Sequence, residues 1–159
     1  MKVTAYLAHT FSLRHYIRDE VTPKLLDIGI ETINPFYKKN GLTSRIEVKI
    51  ADEMGVKGID PRQAKEWMLR VKSKNKRIVA TDLKMIDKAD IIIAFMNSWS
   101  GGTTCEIFYM GCIKERPVYL VTENYPDIFL HPWMVYACRK GKIVKSLDEL
   151  VKVLKRKYK

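Results

Sequence analysis

The sequence lacks any apolar run long enough to cross a membrane. The longest uninterrupted run, Ile91 to Met96, falls far short of the roughly 20 residues that a spanning helix needs. The amino terminus carries one lysine and then mixed polar and apolar residues, without the apolar block of a signal peptide. We therefore expect a cytoplasmic protein without a membrane partner.

Cysteine is also scarce. The three cysteines are Cys105, Cys112 and Cys138, an odd number without a CxxC pair. This pattern argues against a disulfide framework and against a cysteine zinc site. The three histidines do not supply a metal-ligand spacing with the cysteines. We expect neither a metal nor a cofactor.

Basic residues, by contrast, are in excess. The chain holds 29 Lys and Arg against 18 Asp and Glu, which gives a formal net charge of +11. A solvated, lysine-rich surface explains this best, because the basic residues are scattered along the chain. Attraction of a phosphorylated small substrate ranks second. Nucleic-acid binding ranks third, because no RNA- or DNA-binding motif accompanies the charge.

Strand and helix patterns alternate along the 159 residues. The predicted strands are Val3 to Leu7, Ile30 to Asn34, Ile91 to Met96, Pro117 to Val121 and Lys142 to Val144. This alternation predicts a single α/β domain over residues 1–159, a three-layer sandwich with a five-stranded parallel sheet of flavodoxin-like or Rossmann-like type. Ligands of such sheets bind beyond the carboxyl ends of the strands.

Helices are predicted over residues 12–28, 44–53, from 61 onward, 78–88, 103–114, 133–137 and 147–156. Ser12, Asp60 and Ser146 are candidate helix caps, because short hydroxyl and carboxylate side chains accept hydrogen bonds from free backbone N–H groups. Pro23 should kink or divide the first helix, since proline cannot donate a backbone hydrogen bond.

The turn after the third strand contains Ser98, Ser100, Gly101, Gly102 and Thr103, and Glu106 follows in the predicted helix. Glycines permit close approach of a ligand to the backbone, and a helix start favours anions. Glu106 has two interpretations. It is either a reactive carboxylate or the partner of Thr103 in a capping box, and the local pattern alone favours the capping box.

Three further segments have both a functional and an ordinary interpretation. The loop from Ala8 to Arg14 contains His9 and Phe11. It either binds a sugar or phosphate or is an ordinary solvated helix start. Pro35 and Phe36 follow the second strand, where an aromatic ring could stack on a base or pack in the core. Asp82 precedes an apolar helix face and is either directed at the strand ends or solvated.

These segments, in this order, resemble the nucleoside 2-deoxyribosyltransferase family and the related 5′-monophosphate N-glycosidases. The most specific stretches are Asp82 to Ala94 and Gly101 to Glu106, together with Gly111 and the sequence Arg-Pro-Val at residues 116–118. The resemblance covers most of residues 2–121. It implies a nucleoside or nucleotide substrate and a homo-oligomer, in which neighbouring subunits often complete the site.

The resemblance also implies catalytic roles. Glu106 would attack C1′ of the sugar and form a glycosyl-enzyme, Tyr6 would orient Glu106, and Asp82 would protonate the departing base. This is the logic of a retaining glycosidase. The residues expected to bind substrate are Ala8, His9, Phe11, Arg14, Pro35, Phe36, Ser98, Ser100, Gly101, Gly102 and Thr103.

Ser100 departs from the transferase pattern, which often has an aspartate six residues before the nucleophile. The monophosphate hydrolases carry small hydroxyl residues there, as Ser98 and Ser100 do here, and this favours a phosphorylated substrate. The first loop, however, lacks the glycine-rich turn of the hydrolases. A non-catalytic nucleotide-binding module is the second hypothesis, and a basic nucleic-acid-binding protein is the third.

Overall fold

The computed structural model describes residues 2–37, 46–55, 61–123 and 130–158. Its five strands are β1 (Val3–His9), β2 (Ile30–Ile33), β3 (Ile91–Phe95), β4 (Val118–Val121) and β5 (Lys142–Val144). They form one sheet in the order β2-β1-β3-β4-β5, and every pairing is parallel. This order is the flavodoxin-like one, so the predicted fold class is confirmed.

The helices are α1 (Arg14–Tyr16), α2 (Thr22–Asp27), α3 (Ile46–Glu53), α4 (Pro61–Lys72), α5 (Asn75–Asp87), α6 (Gly101–Phe108), α7 (Pro132–Ala137) and α8 (Leu147–Tyr158). A 3₁₀ turn at Phe11–Leu13 precedes α1, and π-helical turns occupy Ile17–Val21 and Tyr109–Ile113. Within the described ranges, every helix is too short or too polar to cross a membrane.

Two apolar layers cover the sheet, because successive side chains of a strand point to opposite faces. On one face, Leu7 packs with Leu25 of α2 and Leu150 of α8. On the other face, Tyr6 packs in one cluster with Ile86 of α5 and Ile107 of α6. All residues of β3 are buried, as the continuous apolar run predicts for a central strand.

The first helix changes geometry at Pro23, as predicted. The π-helical turn Ile17–Val21 ends directly before α2, and the Thr22 hydroxyl donates to the Ile17 carbonyl at 2.9 Å. In a regular helix, proline leaves one backbone carbonyl without its N–H donor, and its ring clashes with the preceding turn. The wider π-helical turn accommodates both effects. The predicted Ser12 cap is wrong, because the helical segment starts at Phe11 and Thr10 precedes it without a side-chain cap.

Several element boundaries differ from the sequence prediction. β1 continues to His9, because Ala8 pairs with Ala94 and His9 with Phe95 of the neighbouring strand. Ala8 and His9, expected in a loop, are therefore strand residues. Helix α5 begins at Asn75, earlier than the predicted residue 78, because Asn75, Lys76 and Arg77 form its first turn. The predicted cap Asp60 and residues 124–129 lie outside the described residues.

The carboxyl-terminal helix agrees with its predicted start. The Ser146 hydroxyl accepts a hydrogen bond from the Glu149 backbone N–H at 3.2 Å, which confirms the predicted cap. Helix α8 runs to Tyr158, beyond the predicted end at residue 156. Its last turn is held by Tyr158, whose hydroxyl lies 3.2 Å from that of Tyr119 on β4.

Gly111 offers a direct test of the packing between the segment after α6 and α7. A Cβ atom at Gly111 would lie 2.2 Å from the Ala137 carbonyl oxygen, whereas one at Gly102 meets nothing within 4 Å. We predict that Gly111→Ala lowers the free energy of unfolding by about 1–3 kcal/mol, because rigid backbone blocks the added methyl group. Urea unfolding measures this change.

The control is Gly102→Ala in α6, which should be neutral or stabilising by up to about 1 kcal/mol, because alanine loses less backbone entropy than glycine. Equal stabilities of the two variants would contradict the observed packing of Gly111.

Candidate active site

Helix α6 begins immediately beyond the carboxyl end of β3 and carries Glu106 in its second turn. Its cap is Ser100, which has an extended backbone and whose hydroxyl accepts from the Thr103 N–H at 3.4 Å. The helix therefore starts at Gly101, two residues before the predicted start. The predicted capping box is wrong, because Thr103 lies inside the first turn and Ser100 is the cap.

The Glu106 carboxylate is directed at the sheet. The Tyr6 hydroxyl donates to Glu106 Oε1 at 2.6 Å, a short contact that is typical of a hydrogen bond to a charged acceptor. Tyr6 is fully buried in β1, and Glu106 is half-buried. A rigid, packed phenol thus fixes the orientation of a partly accessible carboxylate, as the predicted role of Tyr6 requires.

Asp82 lies on α5, one helical turn before Ile86 and on the same side of that helix. Ile86 and Ile107 of α6 belong to one core cluster, so the two acids come from helices on the same face of the sheet. Asp82 is the eighth of the thirteen residues of α5. It is half-buried, and its Oδ1 atom is buried. Its orientation toward the strand ends stays a prediction.

A polar contact fixes α5 against the segment that follows α6. The Tyr109 hydroxyl donates to Asp87 Oδ1 at 3.0 Å, and Lys114 Nζ pairs with the same oxygen at 2.8 Å. The hydrogen bonds from Lys114 and Tyr109 hold the pKa of Asp87 below its ordinary value. Asp87 therefore stays ionised at neutral pH and anchors the helix that carries Asp82.

An aromatic cluster lies beyond the carboxyl ends of β1 and β2. Ring centroids are 4.9 Å apart for His9 and Phe36, 5.6 Å for Phe11 and Phe36, and 5.2 Å for Phe11 and Trp67. Asn34 positions Phe36, because its Oδ1 accepts from the Phe36 N–H at 2.9 Å. The structure thus brings together His9 and Phe11 of one predicted segment and Phe36 of another.

Trp67 of α4 completes the cluster, and the sequence analysis placed it on a helix without assigning it to the site. The sequence does not reveal this role of Trp67, because an amphipathic pattern shows which side of a helix is apolar but not which strand ends that side packs against. The neighbouring Arg14 lies over the Phe11 ring, with its guanidinium carbon 3.9 Å from the centroid. It also donates to the Phe11 carbonyl at 3.0 Å.

The two arginines of this region have different partners. Arg18 forms two hydrogen bonds with the Asp19 carboxylate, at 2.6 Å and 2.9 Å, so its charge is balanced locally. Arg14 binds a neutral carbonyl instead. Burial lowers the pKa of His15, and the positive charges of Arg14 and Arg18 lower it further. Of the two, Arg14 is therefore the arginine whose hydrogen-bond partner carries no charge.

The remaining predicted residues differ in their exposure to solvent. Ala8 is fully buried in the core and presents no side-chain surface to a ligand. Pro35 and Phe36 are also buried. Ser98 is exposed, and Ser100, Gly101 and Gly102 surround the start of α6. Thr103 is 2% exposed, and its hydroxyl oxygen lacks a hydrogen-bond partner among the described residues.

A separate cleft of about 190 Å³ lies beyond the carboxyl ends of β3 and β4. Its lining residues are Leu13, Tyr16, Phe95, Met96, Asn97, Val121 and Glu123. The Tyr16 hydroxyl donates to Glu123 Oε2 at 3.3 Å, and the Leu147 N–H donates to Oε1 at 3.3 Å. Burial and the Glu123 carboxylate raise the pKa of Tyr16 to about 12, so this hydroxyl remains a donor at neutral pH.

A metal centre is not formed by the residues that the structure describes. No group of three or more His, Cys, Asp or Glu side chains is arranged to hold an ion in those ranges. All three cysteines are free thiols. The chemistry available at the strand ends is therefore that of carboxylates, a phenol, aromatic rings and an arginine.

Comparison with solved structures shows a distant likeness. No family model matches the sequence, and no curated protein matches it. A solved structure from Clostridium botulinum, the CMP N-glycosidase BcmB, is similar in 95% of this chain and 97% of its own, with 16% sequence identity and a TM-score of 0.48. At that distance, the activity of this chain has to be inferred from its own residues.

Proposed function

We propose that this chain cleaves the N-glycosidic bond of a nucleoside or a nucleoside 5′-monophosphate, with Glu106 as the nucleophile. The observation that carries the proposal is the 2.6 Å hydrogen bond from Tyr6 to Glu106. Ser100 already caps the start of α6, so Glu106 is not needed as a capping residue. A carboxylate held by a buried phenol beside the strand ends is suited to attack an electrophilic carbon.

The proposed reaction has two steps. In the first, Glu106 attacks C1′ as the bond from C1′ to the base nitrogen breaks, and the leaving base takes a proton from Asp82. The product is a glycosyl ester of Glu106. In the second step, water or another base attacks C1′, Glu106 leaves, and Asp82 regains a proton. Double displacement of this kind retains the configuration at C1′.

The acceptor in the second step decides between two enzyme classes. Water gives a hydrolase, and a second base gives a transferase. The small hydroxyl residues Ser98 and Ser100 near α6 favour the hydrolase of monophosphates, as the resemblance implies. We keep both outcomes within the proposal, together with a homo-oligomeric assembly and a cytoplasmic location.

The aromatic cluster and the start of α6 provide surfaces for the rest of the substrate. Rings of Phe11 and Trp67 offer faces on which a planar base stacks. Gly102 has open space where a side chain would be, so a ligand can approach the first N–H groups of α6 closely. Arg14 and the net charge of +11 attract a phosphorylated substrate.

Glu106→Gln tests the nucleophile. We predict that this variant releases free base at least roughly 10³-fold more slowly than the wild type, because an amide does not displace the base. Chromatography of the base released from a panel of nucleosides and 5′-monophosphates measures the rate. Thermal unfolding should be little changed, because the glutamine side chain can still accept the Tyr6 hydrogen bond.

The matched control is Glu115→Gln. Glu115 is exposed near the amino end of β4, whereas the proposed site lies at the carboxyl ends of the strands, and it pairs with Lys140. This variant should retain wild-type turnover. Full activity of Glu106→Gln would refute the nucleophile, and nucleotide binding without any base release would identify a non-catalytic binding module instead.

Arg14→Gln tests the phosphorylated substrate. We predict a KM for a 5′-monophosphate raised by about tenfold or more, with little change for the corresponding nucleoside, because only the monophosphate uses the guanidinium charge. Steady-state kinetics on the two substrates measure the difference.

The control for this experiment is Arg18→Gln, in which the lost arginine is already paired with Asp19. It should alter neither KM. If Arg14→Gln affects nucleoside and monophosphate equally, Arg14 does not recognise a phosphate and the phosphorylated substrate is ruled out at this position.

A further inference from the structure

The short turn between α4 and α5 concentrates positive charge on one exposed part of the surface. The 15 residues from Trp67 to Thr81 include five basic residues and no Asp or Glu. All five side chains are exposed, and we call them together the basic turn: Arg70, Lys72, Lys74, Lys76 and Arg77. None of the roles proposed above uses these residues.

Backbone hydrogen bonds hold the basic turn in a defined conformation. Only Ser73 and Lys74 separate the two helices. The Ser73 hydroxyl donates to the Arg70 carbonyl at 2.7 Å, and the Lys74 N–H donates to the Val71 carbonyl at 2.9 Å. The Lys74 carbonyl in turn accepts from the Arg77 N–H at 3.1 Å. The cations at the end of α4 and at the start of α5 therefore lie near one another.

The positive charges of the basic turn are largely uncompensated. Arg70 lies 3.8 Å from Glu53 of α3, but both side chains are exposed, so this pair contributes little. Within the described ranges, no carboxylate forms an ion pair with the other four cations. Because like charges repel, the free protein holds the basic turn at an electrostatic cost that a bound polyanion relieves.

The basic turn adjoins the aromatic cluster of the proposed site. The rings of Trp67 and Phe11 have centroids 5.2 Å apart. Arg70 follows Trp67 by three residues and so lies on the same side of α4. Lys74 follows Trp67 by seven residues, which corresponds to about 10 Å along a helix. A ligand that stacks on these rings can therefore reach the basic turn with its next charged groups.

The amount of charge indicates the class of ligand. A nucleoside monophosphate brings one phosphate group, and Arg14 is its proposed partner. Five further cations exceed what one phosphate group can use. A nucleic-acid strand presents a negative charge at every phosphodiester and takes much of its affinity from contacts of these charges with Lys and Arg. The basic turn therefore suits a strand of linked nucleotides better than a single nucleotide.

The neighbouring rings favour a single strand over a duplex. Phe11 and Trp67 are half-buried, so each retains exposed surface on which an unpaired base can stack. A basic surface beside aromatic rings is the combination by which proteins bind single-stranded nucleic acid without sequence preference. The bases of a duplex are enclosed in their own stack and cannot use the rings.

A membrane surface fits the same region less well. Leu69 and Val79 near the basic turn are 59% and 55% exposed, so apolar side chains do accompany the cations. Helices that lie in a membrane interface, however, carry bulky rings such as Trp or Phe on the inserted side. Here the rings of Phe11 and Trp67 contact each other in the aromatic cluster instead.

We propose that the basic turn binds the sugar–phosphate backbone of single-stranded nucleic acid, while one base of the strand stacks on Phe11 and Trp67. Lysine is a flexible point charge, so the contact recognises the backbone rather than a sequence. This binding requires neither the Glu106 carboxylate nor release of a base. It therefore goes beyond the proposed glycosidase activity and is tested separately from it.

Fluorescence anisotropy of a labelled oligothymidine measures this binding with the full chain. The wild type should bind with an affinity that falls as salt is raised. The triple variant Lys72→Gln, Lys74→Gln, Lys76→Gln should bind at least about tenfold more weakly at low salt. Its slope of log K against log salt concentration should be smaller in magnitude by about 2, because each lost phosphate contact removes about 0.7. All three side chains are exposed, so circular dichroism should show a folded protein.

The matched control is the triple variant Lys152→Gln, Lys155→Gln, Arg156→Gln on α8, which packs on the opposite face of the sheet from α5. These side chains are also exposed, and each triple variant loses three positive charges from the same net charge of +11. The control should bind the oligothymidine as the wild type does. Equal losses of affinity in both variants would overturn the proposal, because net charge alone would then explain the binding.

Trp67→Leu separates stacking from charge. This variant should bind about fivefold or more weakly with an unchanged salt dependence, because it removes a ring but no cation. An unchanged affinity would refute the stacked base. Absence of binding by the wild type, equal affinity for the corresponding duplex, or binding of anionic vesicles but not of the oligothymidine would each overturn the proposal.

Discussion

The hydrogen bond from the Tyr6 hydroxyl to a Glu106 carboxylate oxygen connects the centre of the sheet with the helix that follows β3. It joins residues 100 positions apart in sequence, so it forms only when β1, β3 and α6 have assembled. Its donor belongs to the apolar layer that packs α5 and α6 on the sheet. The position of the proposed nucleophile is therefore a consequence of core packing.

The rest of the candidate site follows from the sheet order. Parallel strands place the segments after β1, β2 and β3 at one edge, and the strand order reverses between β1 and β3, which is where ligands of such sheets bind. The aromatic rings and Arg14 come from the first two segments, and Glu106 comes from the third. Asp82 belongs to α5, which packs on the same face of the sheet as the helix of Glu106.

Much of this arrangement was predictable from the sequence, for identifiable physical reasons. A continuous apolar run such as Ile91 to Phe95 identifies a central parallel strand, and Pro23 identifies a break in the first helix. The cap of α6 was not predictable, because Ser100 and Thr103 are both good caps and only the backbone decides between them. Trp67 was missed because its role depends on where α4 packs.

The exposed tryptophans show a second limit of sequence interpretation. Tryptophan is usually at least partly buried, so the sequence does not predict that Trp99 and Trp133 are exposed. Their exposure is evident only from the packing of α6 against α7. Ala8 shows the converse, because the extension of β1 buries a residue that the sequence suggested for the ligand. In both cases the deciding factor is a contact between elements distant in sequence.

The most direct test of the account is mass spectrometry of the intact protein, quenched rapidly during turnover of a nucleoside or its 5′-monophosphate. The account predicts a transient increase in mass equal to the sugar or sugar phosphate, which peptide mapping locates on Glu106. Release of free base with no adduct at any time, or an adduct on another residue, would contradict the proposal that Glu106 is the nucleophile.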